Sequence, residues 1–164
     1  MNHRRLGLTI AAIIFAVDQA LKFLVTGPMG LTYEGAIYPM ISFFQFTLTH
    51  NEGVALGLLP AGSPTARWAL TGVLALITSG VAYWLWTEKN RNDALGLSLV
   101  LGGALGNLFD RARLGYVIDF MDLHFGDFRP FLIFNVADTM ITLGVLVLLA
   151  RALFVREPKA ELES

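Results

Sequence analysis

Two aspartates in this chain could supply catalytic chemistry. Asp138 stands near the start of the apolar run Phe134–Leu149, and Asp119 lies nineteen residues before it, between two apolar residues. Two carboxyl groups held within a few ångströms cannot both ionise easily, so such a pair keeps one proton. The ionised member can take a proton from a water that attacks a peptide carbonyl, while the protonated member donates a hydrogen bond to that carbonyl. Whether the two residues meet depends on the elements that carry them.

Other catalytic chemistries lack a matching pattern. The chain has no cysteine, and it contains neither a G-x-S-x-G nor an H-E-x-x-H pattern. Its three histidines, His3, His50 and His124, are scattered and lack the spacing of zinc ligands. We therefore expect no metal and no cofactor. The formal net charge of −1 also argues against a nucleic-acid partner, which would require a basic face.

The composition indicates an integral-membrane protein. Of the 164 residues, 55 % are hydrophobic and only 15 % are charged, whereas a soluble domain usually carries about 25 % charged residues. A membrane helix needs about 20 mostly apolar residues. We predict a membrane all-α fold with a small β-sheet, formed as a single domain over residues 1–164. Its four transmembrane helices are expected at residues 6–25, 66–86, 94–109 and 133–154.

Lysine and arginine set the predicted orientation, because cytoplasmic loops carry an excess of both. With the N-terminus in the cytoplasm, seven of these residues lie inside and four outside, so both termini are predicted to be cytoplasmic. Segments 27–65 and 110–131 are then extracytoplasmic. Each contains a strand-like stretch, Ile41–Thr49 and Tyr116–Met121 respectively. We expect these stretches to form a small sheet at the outer membrane surface.

Polar side chains gather at the extracytoplasmic end of the predicted spans. Asp18 and Lys22 are four residues apart on the first span, so they share a helix face and can form a buried ion pair. Asp110 and Arg111 are expected to form a structural ion pair at the end of the third span, with contact of Arg111 to substrate or phosphate as the alternative. Asn51, in the first extracytoplasmic segment, either forms a turn or binds substrate.

Asp138 also has a structural interpretation. If Asn135 is the N-cap of the last helix, Asp138 is its third residue, where the helix dipole favours a carboxylate by about 0.3–1 kcal/mol. Twenty residues separate this start from the end at Phe154, counted inclusively, which is enough for about 30 Å. Asp138 then lies at the outer boundary of the membrane. On these residues alone, helix capping and catalysis are equally good interpretations.

Six short motifs follow one another between about residues 15 and 149. They are Asp18-Gln19-Ala20-Leu21-Lys22, Asn51-Glu52-Gly53, Gly102–Asn107, Asp110-Arg111, Gly115–Phe120 and Phe134–Asp138. Each motif is weak by itself, but the ordered set on four spans is specific. Together the motifs resemble the lipoprotein signal peptidase (signal peptidase II) family of membrane aspartic proteases.

This resemblance implies an activity and a set of site residues. The activity is removal of the signal peptide from prolipoproteins, on the amino side of a diacylglyceryl-modified cysteine, at the periplasmic face of the bacterial inner membrane. Asp119 and Asp138 would be the catalytic dyad. The residues implied to shape or hydrogen-bond the site are Asn51, Gly53, Asn107, Arg111 and Asn135, and those implied to be structural are Asp18, Lys22 and Asp110. The expected partners are lipid-modified prolipoproteins and membrane lipids, and the expected state is a monomer.

Two departures from the family pattern and two other functions accompany this interpretation. Leu56 stands where an aromatic residue is expected, which affects the shape of the substrate pocket, and Leu132 stands where the family often has proline.

A proton- or ion-coupled carrier could use the same acids. Such a carrier needs ionisable groups across the whole membrane, and the cytoplasmic halves of the spans have almost none. A non-catalytic scaffold is the third hypothesis.

Overall fold

Four helices and three strands form the described part of the chain, which comprises residues 3–53 and 63–154 of a computed structural model. The helices are α1 (His3–Thr26), α2 (Pro64–Thr87), α3 (Arg91–Arg113) and α4 (Val136–Phe154). The strands are β1 (Ile37–Ile41), β2 (Phe44–Asn51) and β3 (Val117–Leu123). Leu56 lies outside the described residues.

Of these four helices, α1, α2 and α4 are long and apolar enough to cross a membrane. Their large apolar side chains include widely exposed ones, such as Leu76 at 75 % and Leu153 at 76 %, as expected where lipid covers a helix. α3 has 23 residues and packs against the other three helices, but charged residues occupy both of its ends. Three of the four predicted spans thus coincide with helices that are long and apolar enough to cross a membrane. A membrane crossing by α3 stays a prediction.

Glycines on α3 allow the neighbouring helices to approach its backbone. A Cβ atom added at Gly103 would lie 2.4 Å from the carbonyl oxygen of Ala137 on α4. One added at Gly102 would lie 2.8 Å from the carbonyl oxygen of Ala11 on α1. Both distances are far inside van der Waals contact, so only glycine fits while the helices keep their positions. The close approach brings the C-terminal half of α3 next to the first turn of α4.

Gly103→Ala is expected to lower the free energy of unfolding by about 1–3 kcal/mol, the usual range for overpacking a filled interior. The added methyl group meets a backbone carbonyl, which cannot rotate away as a side chain could. Gly72→Ala on α2 is the matched control, because no atom of the described residues outside its own turn of helix lies within 4 Å of its added Cβ, and alanine favours a helix interior. Thermal unfolding in detergent compares the two variants, and equal midpoints would contradict the packing argument.

The three strands form one antiparallel sheet in the order β1-β2-β3. The strand predicted over Ile41–Thr49 is confirmed over Phe44–Thr49, which belongs to β2, but Ile41 ends β1 because a two-residue turn divides the segment. The two turn residues are serine and phenylalanine, and neither signals a hairpin as glycine or asparagine would. The strand predicted over Tyr116–Met121 is confirmed as β3, displaced by one or two residues.

A small apolar core joins the sheet to the end of α1. Its buried members are Val25, Leu31, Ala36, Leu48, Ile118 and Phe120. The first four residues of β3 are buried, and Asp119 among them is only 1 % exposed. Packing of the apolar residues on either side of Asp119 therefore holds this carboxyl group against the helices.

Most helix ends differ from the predicted span boundaries by one to four residues, and two of these differences concern site residues. α3 continues to Arg113, so the first four residues of the predicted segment 110–131 are helical. α4 begins at Val136, so residues 133–135 of the predicted last span precede the helix. Both differences place site residues on or directly before a helix end, where backbone groups are left for side chains to bind.

Candidate active site

Two residues cap each other at the N-terminus of α4. The backbone N–H of Asp138 donates to Oδ1 of Asn135 at 2.9 Å, and the backbone N–H of Asn135 donates to Oδ2 of Asp138 at 3.3 Å. This capping box satisfies N–H groups for which the helix itself has no acceptor. The prediction that Asn135 caps the helix is confirmed. Capping occupies one oxygen of Asp138 and leaves the other for a further partner.

Asn135 also holds Asp119. Its Nδ2 donates to Oδ1 of Asp119 at 2.6 Å, and Nδ2 of Asn51 donates to Oδ2 of the same carboxyl group at 2.9 Å. Each of these amides is oriented by its oxygen, which accepts a backbone N–H, so that its nitrogen faces the carboxyl group. In Asn51 that N–H belongs to Gly53, at 3.0 Å. Asn51 therefore forms a turn and, in addition, binds Asp119.

Asn107 of α3 connects the two aspartates by a second route, because it bonds directly to Asp138 and reaches Asp119 through Asn135. Its Nδ2 donates to Oδ1 of Asp138 at 2.8 Å. Its Oδ1 accepts from Nδ2 of Asn135 at 3.1 Å and from Nζ of Lys22 at 3.3 Å. The structure thus brings Asp119 and Asp138 into one hydrogen-bonded cluster with the three asparagines singled out in the sequence.

A buried ion triad lies next to this cluster. Nζ of Lys22 is 2.8 Å from Oδ2 of Asp18 and 2.8 Å from Oδ2 of Asp110, and the three side chains are at most 2 % exposed. The predicted pairing of Asp18 with Lys22 is confirmed. The predicted pairing of Asp110 with Arg111 is wrong, because successive side chains on a helix point about 100° apart. Asp110 faces α1 and binds Lys22 instead.

The ion triad also fixes the backbone beside each aspartate of the cluster. Oδ1 of Asp18 accepts the N–H of Ala137 at 3.0 Å, next to the aspartate of α4. Oδ2 of Asp110 accepts the N–H of Ile118 at 3.3 Å, next to the aspartate of β3. Lys22 binds both carboxylates, so the triad connects the two backbone segments that carry the aspartates.

Gln19 binds both carboxylates of the ion triad and is absent from the predicted site residues. Its Nε2 donates to Oδ1 of Asp110 at 3.0 Å and to Oδ2 of Asp18 at 3.2 Å. The sequence contains a signal for this contact, since Gln19 follows Asp18 and lies three residues before Lys22, on the same side of α1. Across residues 3–53 and 63–154, no group of three or more histidine, aspartate or glutamate side chains is arranged to hold a metal ion.

Burial raises the pKa of Asp119 to about 6, from an ordinary value of 3.8. Hydrogen bonds from Asn51 and Asn135 to this carboxyl group lower the pKa, while the neighbouring charge of Asp138 raises it. The balance favours the protonated form, because loss of water around a carboxylate is the largest effect. Asp119 therefore keeps a proton at a pH at which an exposed aspartate has lost it.

Arg111 lies at the side of the cluster, against Gly53. Its positive charge interacts with Asp119 and Asp138, and its buried Nε has no hydrogen-bond partner within residues 3–53 and 63–154. Gly53 has φ +76°, and a Cβ added there would lie 2.7 Å from Cδ2 of Leu70 and 3.4 Å from Nη2 of Arg111. Glycine is thus required both by the backbone conformation and by the space that the guanidinium occupies.

An apolar cavity of about 370 Å³ leads from the cluster between α2, α3 and α4. Its lining residues are Gly53, Leu70, Leu74, Ile77, Thr78, Val81, Val100, Ala104, Asn107, Leu108, Arg111 and Ile141. Asn107 and Arg111 supply polar groups, and most of the other lining side chains are apolar. Along α2 the lining extends from Leu70 to Val81, eleven residues or about 16 Å. Such a cavity suits an extended apolar chain.

The sequence matches the family model described as signal peptidase (SPase) II over residues 10–154. The lipoprotein signal peptidase of Rhizorhabdus wittichii is 51 % identical over 162 residues, covering 99 % of this chain and 94 % of that protein. The lipoprotein signal peptidase of Sphingopyxis alaskensis is 47 % identical over 160 residues, covering 98 % of this chain and 92 % of that protein.

Solved structures agree with the sequence comparison. A bacterial membrane enzyme determined by the in meso method at 1.9 Å superposes with a TM-score of 0.76 and 27 % identity, over 92 % of this chain and 94 % of that one. A second, determined at 2.3 Å, gives a TM-score of 0.73 and 28 % identity, over 96 % and 93 %. The chain therefore belongs to the signal peptidase II family, and it is a membrane-embedded peptidase of the aspartic type.

Proposed function

We propose that this enzyme removes the signal peptide from prolipoproteins, cleaving on the amino side of the lipid-modified cysteine, with Asp119 and Asp138 as its acid–base pair. The observation that carries the proposal is the position of Asn135, which hydrogen-bonds to both aspartates. The names of the relatives support the substrate class. A capping role alone explains Asp138, but it does not explain why the same cap binds a second buried carboxyl group.

The proposed reaction divides the work between the two carboxyl groups. Ionised Asp138 takes a proton from a water, whose oxygen attacks the scissile carbonyl carbon. Protonated Asp119 donates a hydrogen bond to the carbonyl oxygen and stabilises the charge that develops there. Collapse of the tetrahedral intermediate breaks the C–N bond, and a proton from the pair goes to the amine nitrogen of the cysteine. The pair then again holds one proton.

The surroundings of the pair fit a lipidated peptide. The apolar cavity between α2, α3 and α4 would receive an apolar chain of the substrate, because burying it there removes hydrocarbon from contact with polar groups. Arg111, whose Nε has no partner among the described residues, would donate to a carbonyl oxygen of the bound peptide. Asn51 and Asn107 would hold the two aspartates in place while the peptide enters.

We further propose that α3 is a fourth span and that the cluster lies at the periplasmic face of the bacterial inner membrane, with both termini in the cytoplasm. The 23 residues of α3 extend about 35 Å, slightly more than the hydrocarbon thickness of about 30 Å. The excess of lysine and arginine on the other side supports this orientation. Since one chain supplies every residue of the cluster, we propose that the monomer is active.

The pH dependence of cleavage reports the proton on Asp119. Because the pKa of this carboxyl group is raised to about 6, the pair holds its proton below that pH and loses it above. We expect kcat/KM to fall about tenfold per pH unit above the apparent pKa, as for an enzyme that needs one protonated acid. The predicted fall of kcat/KM is measured from initial cleavage rates of a lipidated peptide in detergent over a series of pH values. A rate that rises steadily between pH 5 and pH 8 would exclude Asp119 as the acid.

The direct test is cleavage of a synthetic precursor peptide by the purified protein in detergent. A peptide whose cysteine carries a diacylglyceryl group is expected to yield a product with that cysteine at its N-terminus, identified by mass spectrometry. The same peptide with an unmodified cysteine is the control and should remain uncut. Cleavage at another bond, or equal cleavage of both peptides, would contradict the proposed substrate.

A further inference from the structure

A second cavity lies between α1 and α3, on the surface of the helix bundle. It has a volume of about 320 Å³ and shares no lining residue with the cavity of the active site. Its walls are aromatic, from Phe15 and Phe23 on α1 and Phe109 on α3. Phe23 is 71 % exposed and Phe109 is 43 % exposed. We call this cavity the α1–α3 groove.

The length of the α1–α3 groove matches one leaflet of a membrane. Its lining on α1 runs from Phe15 to Thr26, eleven residues or about 16 Å along the helix. Half of a hydrocarbon core of about 30 Å is about 15 Å. The groove therefore extends from the end of α1 to about the middle of the bilayer, and an acyl chain that lies in it would have its polar end level with Thr26.

A positive charge stands at the mouth of the groove. Arg113, the last residue of α3, is exposed and lines the groove, and its guanidinium carbon lies 5.2 Å from the centre of the Phe109 ring. Arg113 makes no hydrogen bond or ion pair with another residue of the ranges 3–53 and 63–154. An arginine at the membrane boundary with its donors open is suited to a phosphate group, which guanidinium binds with paired hydrogen bonds.

We propose that the α1–α3 groove binds one glycerophospholipid of the surrounding membrane. The phosphate binds Arg113, and one acyl chain lies along Phe23, Phe109 and Phe15. This site is separate from the substrate site, because the two cavities share no lining residue, and a diacylglyceryl group lacks the phosphate that a guanidinium binds with paired hydrogen bonds. The bound chain lies against Gln19 and Lys22, which also line the groove, so the lipid covers the outer side of the buried ion triad.

Binding can be measured by native mass spectrometry of the full-length protein after lipid removal in detergent. Phosphatidylglycerol and phosphatidylethanolamine are added separately, and diacylglycerol with the same acyl chains is the probe without phosphate. We expect one saturable phospholipid adduct and at least tenfold weaker binding of diacylglycerol. Arg113→Gln should weaken phospholipid binding about tenfold and leave cleavage of a lipidated peptide in detergent unchanged, which shows that the variant is folded.

Arg67→Gln is the control for loss of an arginine outside the groove, and because Arg67 is half-buried against Gly115, cleavage of a lipidated peptide is measured to show that this variant is also folded. Arg67 also stacks on an aromatic ring, with its guanidinium carbon 5.5 Å from the ring centre of Trp68, but it does not line the groove. A phospholipid with a photoreactive acyl chain should then label the facing segments 15–26 of α1 and 109–118. Equal losses of binding in the two arginine variants, equal binding of diacylglycerol, or label spread evenly over the apolar faces of α2 and α4 would overturn the proposal.

Discussion

Replacing either Asp119 or Asp138 with asparagine is expected to lower kcat for prolipoprotein cleavage by about a thousandfold, within the range usual for loss of a general acid or base. Asparagine has the shape of aspartate and still accepts a hydrogen bond, but it can neither take a proton from water nor return one. The measurement is the initial rate of cleavage of a lipidated peptide by each purified variant. Asp127→Asn, at an exposed loop position, should cleave at the rate of the unsubstituted enzyme.

The same substitutions separate catalysis from helix capping. Both oxygens of Asp119 and both of Asp138 accept hydrogen bonds, so the amide of asparagine places one donor against another. We therefore expect each variant to lose about 1–3 kcal/mol of unfolding free energy while it remains folded in detergent. If Asp138 only capped α4, Asp138→Asn would retain cleavage in proportion to its folded fraction. A rate near that of the unsubstituted enzyme in either variant would end the proposal of an aspartate pair.

Lys22→Met is expected to lower the free energy of unfolding by about 3–5 kcal/mol, the usual cost of removing one partner from a buried ion pair. Lys22 lies between Asp18 and Asp110, at 2.8 Å from each, and is almost fully buried. Without it, two carboxylates face each other where water cannot reach them. Titration with a denaturing detergent, followed by loss of helical signal, measures the change. Lys89→Met, at an exposed position, is the control and should change little.

A triple variant identifies the cause of that loss. Combining Lys22→Met with Asp18→Asn and Asp110→Asn removes the unpaired charges and leaves amides that can still accept the N–H groups of Ala137 and Ile118. Most of the stability should therefore return. A single Lys22→Met variant as stable as the unsubstituted protein would show that the triad carries no large electrostatic energy. A triple variant no more stable than the single one would show that the side-chain packing of Lys22 matters more than its charge.

Local signals in the sequence were sufficient to predict the Asn135 cap and the pair of Asp18 with Lys22. In both cases the partners are three or four residues apart, where helix geometry alone brings them together. The binding of Asn51 to Asp119, across 68 positions, depends on the register of β2 against β3. Nothing near Asn51 indicates that register, so a turn or a substrate contact was all that the sequence could predict.

Errors of prediction at Asp110 and in the sheet have related causes. Adjacency in sequence suggested Arg111 as the partner of Asp110, but the helix turns the two side chains apart, and the true partner lies on α1. The turn between β1 and β2 has no residue that marks it.

The family match gives no support to the carrier alternative. The signal for the family is the ordered set of motifs rather than any one pair of residues.

The hydrogen bond from the N–H of Ala137 to Asp18 joins α4 to α1, the last and first helices of the described residues. The helices α1, α2 and α3 are synthesised before α4. Until α4 is present, the Asp18 carboxylate therefore lacks its hydrogen bond from Ala137. A polypeptide synthesised only as far as α3 also lacks Asp138, one of the two aspartates proposed for catalysis. If Asp119 and Asp138 form the proposed acid–base pair, cleavage therefore requires that α4 has been synthesised and packed against α1.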